Sequence, residues 1–111
     1  IITQINPRMR IWSEEVFGPV ATFIPFSDEQ EAISLANDTP YGLGASVWTK
    51  DQNRMNKLPS ELDCGMVFIN EIVKSDPRLP FGGIKESGHG RELGQEGIIS
   101  FVNVKTIWIN S

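Results

Sequence analysis

The apolar residues of this 111-residue chain fall in short clusters, separated by polar stretches with a different rhythm. The first cluster, ATFIPF at residues 21–26, has the length of a strand, although Pro25 has no N–H to give to a ladder. SDEQEAISLAND follows with a helical pattern. Ser27 or Asp28 can cap it, the early acids suit the positive helix end, and Ala32, Ile33, Leu35 and Ala36 form one apolar stripe. TPYGLG ends that helix. ASVWT, residues 45–49, predicts a second strand. DQNRMNKLPSEL predicts a second helix, capped by Asp51, with Met55, Leu58 and Leu62 on one side and a break at Pro59. GMVFIN, residues 65–70, is apolar nearly throughout, as expected of a strand covered on both faces.

Strand, helix, strand, helix, strand is the order of a parallel α/β sheet with crossover helices. Periodicity then stops. Residues 71–90 carry Pro77, Pro80, Gly82, Gly83, Gly88 and Gly90, and a loop of this length in a small domain is functional or disordered. RELGQEGIIS predicts a short helix. FVNVKTIWIN alternates as a strand, with Val102, Val104, Thr106 and Trp108 on one face and Phe101, Asn103, Lys105, Ile107 and Ile109 on the other. Both faces are largely apolar. Such a strand either completes the sheet of its own chain or offers a docking edge to another.

Composition narrows the classes. Apolar residues make up 40% and charged residues 22%, which is the balance of a folded chain rather than a disordered one. The net charge of −4 argues against a general nucleic-acid surface or an anionic-membrane surface, since both select for Lys and Arg. No apolar run approaches the ~20 residues that cross a bilayer. Cys64 stands alone, so no internal disulfide is available and an oxidising compartment gains no support; a cytoplasmic location is expected. The chain opens IITQINP without Met, as a processed product or a fragment would.

Several residues invite chemistry. GGIKESGHG contains neither G-x-G-x-x-G nor G-x-x-x-x-G-K-[ST], so its glycines are read as turn formers rather than a phosphate cradle. Cys64 lies at the mouth of an apolar strand with no base nearby in sequence, which describes a structural thiol. His89 is the only histidine, and with one cysteine beside it no metal site is expected. Phe81, between Pro80 and two glycines, is either an anchor pinning the loop to the core or the wall of an apolar ligand pocket. Glu15, in EEVFGPV, is either a surface acid or a positioned acceptor for a polar ligand, because Val16 and Phe17 draw it toward an interior where a carboxylate needs a partner.

Taken together, EEVFGPV, AISLANDTPYGLGASVWTKD, GMVFIN and PFGGIKESGHGRELG resemble the C-terminal part of an NAD(P)-dependent aldehyde dehydrogenase. The motifs occur in the family's order and with its spacing through essentially the whole chain. The resemblance implies that Glu15 accepts hydrogen bonds from the nicotinamide ribose hydroxyls and that Phe17 packs beside the nicotinamide. It also implies that Phe81 lines the aldehyde pocket. In the loop before it, Ser75 resembles a residue that contacts the substrate carboxylate in succinate-semialdehyde dehydrogenases, and Lys74 and Arg78 add positive charge. The favoured substrate is therefore a short semialdehyde acid, succinate semialdehyde. The cofactor is NAD or NADP, because the residues meeting the 2′ position lie elsewhere. The family's cysteine nucleophile, general-base glutamate and oxyanion-holding asparagine also lie on other segments, so no catalytic residue is expected in this chain.

The expected architecture is an α/β, parallel-sheet fragment of the aldehyde dehydrogenase catalytic domain over residues 1–99. An oligomerisation strand follows over residues 100–111, through which the enzyme forms a homo-oligomer. The alternative is a non-catalytic module that self-associates through that strand.

Overall fold

Helix α1, Glu29–Asn37, begins where the sequence supplies a reciprocal cap. The Asp28 carboxylate accepts from the Glu31 N–H at 2.9 Å. The Glu31 carboxylate reaches back to accept from the Ser27 N–H at 2.7 Å and from its hydroxyl at 2.5 Å. The Glu31 N–H, a donor that the helix start leaves orphaned, is thus satisfied by the cap side chain. The two bonds from Ser27, the hydroxyl first, hold the Glu31 carboxyl below its ordinary value. The helix turns Ile33 inward, where it is 7% exposed. The structure is a computed structural model describing residues 1–111, and the chain divides into two units, Ile1–Pro40 and Tyr41–Ser111.

In the first unit, residues 21–26 do not form the expected strand. Only an isolated parallel bridge forms, with the Ile2 N–H on the Ala21 carbonyl at 2.8 Å and the Phe23 N–H on the Ile2 carbonyl at 2.9 Å. Pro25 cuts the ladder short, because it removes the next donor. A single 3₁₀ turn, Arg10–Trp12, precedes the EEVFGPV loop. Its Trp12 indole N–H donates to the Asp38 carboxylate at 3.0 Å, tying the turn to the C-terminal end of α1.

The second unit holds two two-stranded sheets. Strand β1 is Tyr41–Gly42, β2 is Gly44–Val47, β3 is Met66–Ile69 and β4 is Ile84–Lys85. β2 and β3 pair in parallel, with Gly44 opposite Met66 and Val47 opposite Ile69. The crossover between them is helix α2, Gln52–Lys57, capped by the Asp51 carboxylate on the Asn53 and Arg54 N–H groups. Pro59 converts its end into a 3₁₀ turn, Leu58–Ser60. This is the expected parallel unit. β1 and β4 were not predicted, and they pair antiparallel, so the pairing is mixed rather than all parallel. A two-residue strand spans too few positions to show a period. Helix α3, Gly94–Ile99, forms where RELGQEGIIS predicts one. No helix is long and apolar enough to cross a membrane.

Residues 103–111 join no ladder, so the strand expected there does not complete this chain's own sheet. Its side chains are exposed, Trp108 at 86%. This belongs to a wider pattern. Ile33 is the one buried apolar side chain, and Phe17, Phe23, Phe26, Trp48 and Phe101 all face outward. Even β3, expected to be covered on both faces, is only half-buried. Apolar area on this scale is left for other surfaces to cover.

Replacing the α1 cap, Asp28→Ala, should lower the local opening free energy of the helix by about 1 kcal/mol, read as roughly fivefold faster amide hydrogen exchange across α1. The Glu31 bonds give a pH dependence. Its folded-state value lies below the ordinary 4.5, so its contribution is complete above that value and is lost as pH falls through the folded one. Amide protection of α1 should therefore be flat above pH 4.5 and decline below it; in Glu31→Gln that component of the decline should vanish.

Candidate functional site

The EEVFGPV loop is built from two successive three-residue turns. The Gly18 N–H donates to the Val16 carbonyl at 2.9 Å, and the Val20 N–H donates to the Gly18 carbonyl at 2.7 Å. The first turn has Phe17 at its apex and turns the ring out to 96% exposure. A large aromatic ring in water is costly, and a turned loop that presents one is poised to cover it with something else.

The two acids of this loop have different fates. Glu14 is bound in a fork by Arg10, with Nε and Nη2 each donating at 2.7 Å. That bonding holds the Glu14 carboxyl below its ordinary value and raises the Arg10 guanidinium. Glu15 is exposed and neither hydrogen-bonded nor ion-paired within the chain. The expectation that Val16 and Phe17 draw it inward is not met, since both are themselves exposed. Of the adjacent carboxylates, one is therefore committed and the other keeps both oxygens unpaired within the chain.

In the second unit, Phe81 lines a cavity of about 410 Å³ together with β3, Glu71, Lys74, Asp76 and Leu79. The strand ends that open into this loop are joined by Asn70. Its side-chain amide accepts from the Thr49 N–H at 2.8 Å and donates to the Thr49 carbonyl at 2.9 Å. Asn70 does this at φ 55°, a left-handed conformation that Asn tolerates better than most residues. In the sequence Asn70 is signalled only as an Asn directly after an apolar strand.

Ser75 and Arg78 lie on the same loop as Phe81 but outside the lining of that cavity. Ser75 is exposed. The free positive charge expected of Lys74 and Arg78 is not there. The Lys74 ammonium lies 2.7 Å from the Glu71 carboxylate, and Arg78 binds Asp76 in a fork at 2.8 and 2.6 Å. The Arg78 side chain, followed by its backbone N–H, holds the Asp76 carboxyl far below its ordinary value. Nε and Nη2 make this fork, and Nη1 has no protein acceptor.

Phe81 is also tied to the glycine-rich loop that follows it. Its N–H donates to the Glu92 carbonyl at 2.7 Å and its carbonyl accepts from the Glu92 N–H at 2.8 Å. Arg91, another residue the sequence reading did not single out, donates from Nη1 to the carbonyls of Gly83 at 2.8 Å and Gly90 at 2.7 Å. Cys64 is half-buried and its thiol donates to the Met66 carbonyl at 3.1 Å, a bond that suits a structural thiol. No three His, Cys, Asp or Glu side chains cluster to hold a metal ion.

Residues 1–107 match the aldehyde dehydrogenase family. A probable NADP(+)-dependent succinate-semialdehyde dehydrogenase of Synechocystis is 52% identical over 109 residues, which is 98% of this chain and 24% of that protein. An aldehyde dehydrogenase of Paenarthrobacter nicotinovorans is 48% identical over 97% of the chain and 24% of its own length. Among solved structures, succinic semialdehyde dehydrogenase from Streptococcus pyogenes, in complex with NADP+, superposes with a TM-score of 0.94 at 42% identity, covering 98% of this chain and 24% of that one. Betaine aldehyde dehydrogenase from Staphylococcus aureus, in complex with NAD+, superposes at 0.85 with 46% identity, covering 89% of this chain and 20% of that one. The chain thus spans about a quarter of the length of the curated relatives it matches. With the match running through nearly every residue of both units, the chain belongs to the aldehyde dehydrogenase family.

Proposed function

We propose that this chain is the C-terminal quarter of an NAD(P)-dependent aldehyde dehydrogenase that oxidises succinate semialdehyde to the dicarboxylic acid. The observation that carries the reading is the division of labour in EEVFGPV. Arg10 engages Glu14, while Glu15 and Phe17 stand free on the same turned loop. Glu15 would hold the ribose hydroxyls of the cofactor, because a carboxylate can accept two hydroxyl donors at once through charge-assisted bonds. Phe17 would supply a flat apolar wall for the nicotinamide, which when bound serves as the hydride acceptor. Both NADP+ and NAD+ occur in the similar structures, so either cofactor fits the reading.

Phe81 would form the wall of the aldehyde pocket, and the preceding loop would receive the far end of the substrate. The Ser75 hydroxyl is exposed and free to donate to a carboxylate. Arg78 can keep Asp76 in its fork and still offer Nη1. Lys74 and Arg78 are each offset by an acid, so the loop would recognise a carboxylate by placed donors rather than by bulk charge. The nucleophile, general base and oxyanion donor would come from the rest of the enzyme, and residues 1–99 would complete its catalytic domain. Residues 100–111 would pair with another subunit in a homo-oligomer, which the exposed, unpaired apolar run there supports. A free, half-buried Cys64 suits a reducing compartment, and we place the enzyme in the cytoplasm.

In the complete enzyme, Glu15→Gln should raise the cofactor KM on the order of tenfold through loss of the charge-assisted bonds. Glu14→Gln should change it much less, and equal effects in the two variants would remove the basis for the assignment. The 111-residue chain alone should form no NAD(P)H from succinate semialdehyde by absorbance at 340 nm; steady turnover would mean that it carries chemistry of its own.

A further inference from the structure

The Phe81 ring sits on a stretch of backbone poorly suited to hold it. Gly82 and Gly83 follow directly, and glycine gives the chain its greatest freedom. Yet Phe81 borders two cavities, each about 410 Å³: the one described above, and a second on the side of the glycine-rich loop, lined with Leu43, Ser87, His89 and Phe101 among others. A small shift of this one ring moves the wall of both.

We infer that Arg91 is a positioning residue that fixes the Phe81 ring through the backbone, by holding closed the loop that runs from Phe81 to Glu92. The two ends of the loop meet in the reciprocal Phe81–Glu92 bridge. One residue inside that bridge, the Arg91 guanidinium draws the Gly83 and Gly90 carbonyls onto a single nitrogen. Its aliphatic stem lies against Gly82, where a Cβ would stand 3.1 Å from the Arg91 Cδ and 2.8 Å from the Gly90 carbonyl oxygen. Gly65 presses so close that a Cβ there would stand far inside van der Waals contact with the Gly82 carbonyl oxygen, at 1.9 Å. Gly82 is therefore clamped between the entrance to β3 and the Arg91 side chain. Arg91 makes no ion pair, and its bonds go to two neutral carbonyls of the loop it closes.

This inference rests on the reading of Phe81 as a pocket wall, and the test separates the two. The complete polypeptide would carry 4-fluorophenylalanine at position 81, with Arg91 intact or replaced as Arg91→Met, which keeps the length and removes the donors, or Arg91→Lys, which restores donors. The fluorine resonance should shift or split in Arg91→Met and return close to its original position in Arg91→Lys. In kinetics, Arg91→Met should raise the aldehyde KM about tenfold with the cofactor KM unchanged. In a Phe81→Ala background the same substitution should add less than about twofold, because the two residues act through one ring. An unmoved fluorine signal, or losses that simply add, would overturn the inference. Should the unmodified enzyme oxidise no aldehyde, the pocket reading fails and the fluorine spectrum alone decides the role of Arg91. Should Arg91→Met not fold, Arg91→Gln carries the same comparison.

Discussion

At Gly65 two stretches of backbone meet with no room for a side chain between them. The contact sets the depth at which the glycine-rich loop lies against the entrance to β3, and much of the second unit follows from it. The Gly65 N–H donates to the Gly42 carbonyl at 2.9 Å, so the same residue also anchors β1 beside β3. A Cβ on Gly42 would meet the Asp63 carbonyl oxygen at 3.0 Å, and one on Gly83 would meet the Gly42 carbonyl oxygen at 3.2 Å. This part of the molecule is assembled main chain against main chain. Close approach of that kind gives a rigid frame without a large apolar core, and the chain has hardly any core to offer.

The frame and the loops divide the work. β2, β3 and the Asn70 amide fix where residues 71–81 begin, and the Phe81–Glu92 bridge fixes where they end. Between those points the loop satisfies its own charges, Lys74 with Glu71 and Arg78 with Asp76. Exposed pairs of this kind add little to stability. They keep the two cations from acting as a diffuse positive field. The EEVFGPV loop follows the same rule: Arg10 engages one acid and leaves its neighbour available.

The sequence was most legible where local chemistry decides the outcome. Asp28 and Asp51 cap α1 and α2 as their positions imply, and the alternation of strand and helix around residues 44–69 gave the parallel pair. It was least legible where partners distant in sequence decide. β1 and β4 span two residues each and have no pattern of their own; they exist because Gly42 and Ile84 are brought together. The strand expected at residues 21–26 fails because Pro25 outweighs the apolar run around it. Of the candidate site, EEVFGPV pointed to Glu15 and Phe17, but nothing in the letters told which acid Arg10 would engage. Arg91 was hidden for the same reason, since its bonds go to main-chain atoms that carry no sequence identity, whereas Asn70 was signalled only by its place after an apolar strand.

The unpaired run at residues 103–109 has a further consequence. Val104, Ile107, Trp108 and Ile109 make a stretch of high β propensity with its backbone groups open, the kind that stacks with copies of itself when left uncovered. Lys105 lies in the middle of it. In a stack of identical segments held in register, each such ammonium would sit about 4.8 Å from the next. The repulsion accumulates with every added layer, while a single pairing with a different, complementary strand escapes it. One lysine thus acts as a gatekeeper against such stacking.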